Sequence, residues 1–194
     1  MTLKIVATFF LLLAFAGCVS VAKVETGERS IGERLVVTID GPWNHVESPL
    51  LGPAQTWTME GLPVDQLLVY SGIKNEQVVH AESPGAGDTR KRFAFRANMQ
   101  PDQIVAMFEG MLTRDGSKFD LAKLEPMTFG GQKGFRFEYS LIRRADNVRL
   151  SGVGFGAVSK GELFAILYLA PRLTFFDRQK ARVELMAKSA RIKI

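Results

Sequence analysis

The chain has one cysteine, two histidines, two tryptophans and three tyrosines among its 194 residues. A single thiol allows no internal disulfide, so burial and hydrogen bonding must hold the fold by themselves. A zinc centre needs several nitrogen or sulfur donors brought together. His45 and His80 are the only histidines, and no His-Glu-x-x-His spacing occurs, so no metal and no cofactor are expected. No Gly-x-Ser-x-Gly is present, and Ser71 and Ser151, each followed by glycine, read as turn and strand residues. Twenty-five Lys and Arg against twenty Asp and Glu give a formal charge of +5. The basic residues are scattered, which is not the footprint of a nucleic-acid binder.

What is present is concentrated first at the amino terminus. Met1–Lys4 carry one positive charge, and Ile5–Ala16 are apolar except for Thr8. A bilayer core needs roughly 20 apolar residues, so this run is too short to span it and has the layout of a secretory signal. The only cysteine follows directly, in Phe15-Ala16-Gly17-Cys18. This segment resembles a bacterial lipoprotein signal, in which a large apolar residue and two small ones precede the lipidated cysteine. The resemblance implies residues 1–17 as signal peptide, cleavage before Cys18, lipid on its thiol and an acyl chain such as palmitate on the new amino terminus. Several acyl chains, at roughly 0.8 kcal/mol per buried methylene, hold a protein durably where one does not. Val19 and Ser20 stand where an inner-membrane aspartate would, so the resemblance points to the outer membrane, facing the periplasm.

Residues 18–32 are small, polar and glycine-punctuated and read as a lipidated tether, leaving 33–194 as a single domain. Arg34–Asp40 is β-branched and ends at Gly41-Pro42, a strand meeting a turn. Gly41–Pro53 has no periodicity and reads as a long loop. Gln55–Met59, Leu67–Tyr70 and Phe93–Arg96 read as strands. Pro101 and Asp102 suit a helix start, and Ile104, Val105, Phe108, Met111 and Leu112 make one apolar stripe before Gly116. Four strands follow: 121–129, 134–142, 148–158 and 163–169, separated by glycine-, asparagine- and lysine-bearing turns. In Gly134–Ser140, Phe135, Phe137 and Tyr139 share one face and the charged residues the other, the pattern of a strand covered on one side. Residues 164–169 are apolar on both faces and should be central. A last helix carries Phe176, Val183, Leu185, Met186 and Ser189 as its inner stripe, with Thr174 and Asp177 as a capping pair. The fold class is α+β: an antiparallel sheet of about six or seven strands flanked by helices.

From Phe119 onward the order of a glycine turn, Gly134-Phe135-Arg136-Phe137-Glu138-Tyr139, an apolar strand at 163–169 and a helix ending near Ser189-Ala190-Arg191-Ile192 resembles a PsbP-like domain. Trp57–Leu62 through Tyr70–Ile73 is similar to uncharacterised proteobacterial envelope lipoproteins. The resemblance implies an αβα sandwich and a binding or assembly role, and it brings no catalytic residue with it.

Two surfaces suggest a binding role. Trp43, Asn44 and His45 form an aromatic and polar set on the Gly41–Pro53 loop, either exposed for a partner or with Trp43 folded back as a lid on the core. Arg90, Lys91, Arg92 and Arg96, with Arg143, Arg144 and Arg149 nearby, form a cationic set, either a partner surface or a solvated face. Gly152-Val153-Gly154-Phe155-Gly156 reads as a strand that admits a close neighbour rather than as a phosphate loop. Asp120, Glu125 and Glu138 serve as acid and base only if two meet in a cleft, and alternation points Glu138 at solvent. The sequence therefore predicts a non-catalytic envelope protein that contacts another envelope protein or an anionic polymer. The alternatives are a periplasmic hydrolase using a carboxylate and His45, and a carrier of a small apolar ligand.

Overall fold

The computed structural model describes residues 20–48, 52–80 and 93–193. The signal segment, Cys18 and Arg90–Arg92 lie outside them. Eleven strands and two helices follow in the order β1 (Ser20–Val24), β2 (Gly27–Ile31), β3 (Leu35–Ile39), β4 (Trp43–Glu47), β5 (Gln55–Thr58), β6 (Gln66–Ile73), α1 (Pro101–Leu112), β7 (Lys118–Phe129), β8 (Gln132–Ile142), β9 (Arg149–Ser159), β10 (Glu162–Pro171), α2 (Asp177–Ser189) and β11 (Arg191–Ile192). An eight-stranded sheet runs β1-β4-β5-β6-β10-β9-β8-β7, and a three-stranded sheet runs β11-β3-β2. Among the described residues the strand pairings are antiparallel throughout.

β10 is buried on both faces and lies between β6 and β9, as its apolar run requires. Alternation sorts its side chains. Leu163, Ala165, Leu167 and Leu169 join the core under α1, while Phe164, Ile166, Tyr168 and Ala170 join the core on the opposite face. On the first face α1 buries Ile104, Val105, Met107, Phe108 and Met111. Its amino end is closed by Gln103, whose side-chain oxygen accepts the Gln100 N–H at 2.9 Å. On the second face α2 packs through Val183, Met186 and Ala187, and the small sheet adds Leu35, Val37 and Ile39. The result is richer in sheet than a sandwich with plain helical flanks: a second sheet takes part of the cover that a helix was expected to give.

Three adjacent positions explain the glycines of β9. Phe135, Phe137 and Tyr139 on β8 stand opposite Gly156, Gly154 and Gly152. Each ring lies over its glycine, so closely that a Cβ at Gly154 would sit 2.2 Å from a ring carbon of Phe137. The glycines thus admit an aromatic ladder from the neighbouring strand.

Several expectations are corrected. Residues read as a tether form β1 and β2, and Ile31 is core. Their side chains give no signal because edge pairing is made by the backbone. Phe93–Arg96 is no ladder strand and shows one isolated bridge, Val78 to Ala94. Thr174 does not cap α2. It sits at φ +78° inside a π-type turn over Arg172–Phe176, and α2 begins with no side-chain cap bond. Gln179 and Ala187 are buried on α2, whereas Leu185 is exposed. The charged face of β8 is only partly open to solvent, because α2 lies over Arg136 and Glu138.

Candidate functional site

The expected loop set is in fact strand. Trp43, Asn44 and His45 belong to β4, hydrogen-bonded between β1 and β5. Trp43 is fully buried and meets Tyr168 edge-on at 6.2 Å, so of the two readings for this residue the lid on the core is the one found. Asn44 and His45 are half-buried. The His45 ring meets Trp57 edge-on at 6.4 Å, and its Nδ1 lies 3.4 Å from a carboxylate oxygen of the exposed Glu47. The set therefore holds an edge of the sheet together, and His45 lines none of the cavities described below.

The carboxylates weighed as an acid–base pair are tied to cations. Arg136 donates to Glu125 at 3.0 Å, Glu138 at 2.5 Å and Glu184 at 2.8 Å, and Lys180 donates to Glu138 at 2.9 Å. These bonds from Lys180 and Arg136 hold the Glu138 carboxyl below the usual glutamate range, so it stays ionised and is a poor proton donor. Arg136 also covers the Phe155 ring at 5.8 Å. The group clamps α2 to the sheet. Asp120 is exposed on β7. Among the described residues no cluster of His, Cys, Asp and Glu is arranged to hold a metal ion.

The expected cationic face divides in two. Arg96 is exposed beside the far end of β6, where Ala97 N–H donates to Asn75. Arg143, Arg144 and Arg149 lie at the other end of the strands, where Gln66 of β6 pairs with Leu169 and Arg149 with Ile142. They are not neighbours of Arg96. Topology instead gathers other cations around them. Lys118 opens β7 opposite Ile142, Arg114 follows α1, and Arg172 follows β10. Arg143 grips Asp146 through two nitrogens, at 3.0 and 2.7 Å, and donates to the Pro63 carbonyl at 2.7 Å. Arg144 donates to the Asp115 carbonyl at 3.2 Å. Among the described residues Arg114, Lys118, Arg149 and Arg172 make no ion pair, and all four are exposed.

Arg149 and Arg172 share a shallow depression of about 390 Å³ with Val148, Pro171 and Leu173. Leu173 is 82% exposed. Thr174 beside it holds a left-handed backbone that β-branched residues avoid. This end combines unpaired guanidinium groups with one projecting apolar side chain. Arg114, Lys118 and Arg172 were missed in the sequence because each sits alone beside an element end, and only antiparallel connection brings those ends together.

No family model and no curated protein matches the chain. Among solved structures it is similar to cyanobacterial PsbP (CyanoP) from Synechocystis sp. PCC 6803, with 14% identity and a TM-score of 0.48 over 85% of this chain and 98% of that one. It is also similar to LpqN, involved in cell envelope biogenesis of Mycobacterium tuberculosis, with 9% identity and a TM-score of 0.44 over 90% of this chain and 92% of that one. These are likenesses in the course of the chain, and no family follows from them.

Proposed function

We propose that this chain is a non-catalytic binding module of the bacterial cell envelope. Lipid on Cys18 holds it at the outer membrane facing the periplasm, and its basic end meets an anionic envelope component. The observation that carries this reading is the gathering of Arg114, Lys118, Arg143, Arg144, Arg149 and Arg172 at one end, five of them without an ion pair among the described residues. Exposed like charges held together repel one another, and an anionic surface relieves that repulsion. The polar groups elsewhere are engaged in holding the fold: the Arg136 group under α2, and His45 at the sheet edge.

The test is crosslinking in intact cells, comparing wild type with a variant in which Arg114, Lys118, Arg149 and Arg172 are all changed to Gln. Exposed substitutions of this kind usually change stability by less than about 0.5 kcal/mol each, so the fold survives. Capture should fall sharply in the variant. In extracts, wild-type capture should weaken as salt rises, because exposed charges are screened beyond about 8 Å at physiological ionic strength. Equal capture by both proteins at low and moderate salt refutes the basic end as the binding surface.

A further inference from the structure

Two cavities adjoin where α1 stops at Leu112 and the chain turns through Gly116 into β7. The larger, about 280 Å³, has Thr56, Leu68 and Tyr70 of the sheet on one side and Met111 and Leu112 of α1 on the other. The smaller, about 150 Å³, continues between Leu112 and the leucines Leu141, Leu150 and Leu169. Gln66, Leu112 and Asp115 line both, so the two cavities adjoin at these residues and together make the candidate groove. Their joint size falls in the range of small-molecule sites, on the order of 300–1,000 Å³.

The chemistry of this groove changes along its length. The smaller part sets Leu112, Leu141, Leu150 and Leu169 on one side beside Gln66, Asp115 and Arg143. Deeper along β5, Thr56 is 2% exposed, and its hydroxyl has no hydrogen-bond partner among the described residues. A buried hydroxyl left so is costly, so the inner wall beside Thr56 is not purely apolar. Tyr70 offers no such opening, since its hydroxyl donates to the Val79 carbonyl at 3.1 Å. At the mouth, Arg114 is exposed and unpaired, and Asp115 accepts the Ser117 N–H at 2.9 Å. Arg144 leans on the Asp115 carbonyl and Arg143 lines the smaller cavity, so the mouth is cationic on balance.

We propose that this groove is a binding site for a small amphipathic acid, its apolar body against Leu68, Leu112 and Leu150 and its carboxylate toward Arg114. The site shares Arg114 and Arg143 with the basic end, but it stands without the partner-binding reading, since its apolar walls lie outside that surface.

A dansyl-labelled undecanoic acid serves as probe, titrated into purified protein carrying Cys18→Ser so that no lipid of its own competes. Saturable binding at one probe per chain is expected, displaced by decanoic acid and far less by decanol. Leu112→Trp places bulk at the junction of the two cavities and should weaken binding at least tenfold. Leu68→Phe is a second filling variant, and circular dichroism checks that each is folded. Arg114→Gln should weaken the acid probe roughly tenfold, the scale of one charge-assisted hydrogen bond, and leave its methyl ester unchanged. Absence of saturable binding overturns the proposal, as does wild-type binding by both folded filling variants. Equal displacement by decanol and decanoic acid overturns the acidic head. Loss of binding in a Lys118, Arg149 and Arg172→Gln variant, with the filling variants unaffected, places the probe on the basic end instead and also refutes the groove.

Discussion

Changing Gly154 to Ala adds one methyl group at the most crowded point of the aromatic ladder. The new Cβ would lie 2.2, 2.3 and 2.9 Å from three ring carbons of Phe137. Ordinary contact between carbons begins near 3.5 Å, so the ring must retreat by more than about 1 Å. It has nowhere to go. Phe137 is fully buried, with ring neighbours Tyr139 at 5.6 Å, Phe135 at 6.2 Å and Phe108 of α1 at 6.4 Å. Overpacking of this kind costs about 1–3 kcal/mol. Reduced freedom of the unfolded chain returns about 0.4–1 kcal/mol, because the backbone at Gly154 is not left-handed. The net expectation is a loss of roughly 1.3 kcal/mol, read as a lower urea midpoint with unchanged slope, or as a fall in Tm of roughly 3–5 °C for a domain of this size. Phe137→Ala alone should cost about 3–5 kcal/mol, and Phe137→Leu should recover part of the Gly154→Ala loss when the two are combined. A neutral or stabilising Gly154→Ala, or strict additivity with Phe137→Leu, would refute the cross-strand packing.

Three further predictions rest on other parts of the fold. Asp65 is 1% exposed and accepts from Thr58 at 2.5 Å, Met59 N–H at 3.1 Å and Glu60 N–H at 2.8 Å. Asp65→Ala should therefore cost at least about 2 kcal/mol in urea unfolding and Asp65→Asn less, and a neutral alanine would show that the carboxylate does not close this turn. Glu138 is held below its ordinary range by Lys180 and Arg136, so its contribution is complete near neutral pH and is lost as pH falls below about 4.3. Arg136→Met should lower stability at pH 7 and flatten the acid limb of the stability–pH curve, and parallel curves for the two proteins would sink this account. Cys18→Ser should release the protein from membranes or block its processing in cell fractionation, and a variant that matures and stays with membrane as before removes the lipid anchor from the proposal.

Much of the fold is written in local patterns. The period-two alternation of Phe135, Phe137 and Tyr139 assigned β8 and its buried face, and the run at 163–169 placed β10 in the centre of the sheet. Helical spacing with Pro101 and Asp102 at its start marked α1. Gly130-Gly131 and Lys160-Gly161 adopt the paired left-handed conformations that tight hairpins need, so the meander of β7 to β10 was legible. These features were readable because each depends on residues close in sequence: a side-chain period, a cap or a turn.

What the tertiary structure decided depends on residues far apart. β1 and β2 carry no apolar alternation, yet they become strands because the backbones of Trp43–Glu47 and Leu35–Ile39 offer them hydrogen-bonding partners. Trp43 had two readings until β4 paired with β5 and turned it onto Tyr168. Glu138 looked solvent-facing until α2 brought Lys180 and Glu184 over β8. The groove exists because α1 ends at Leu112 above the β5–β6 part of the sheet, and the basic end because β7 to β10 return their termini to one place. Sequence sets which face a residue shows along its own strand or helix. What meets that face is set by long-range pairing, through backbone groups identical at almost every position, and side-chain periodicity leaves no record of it.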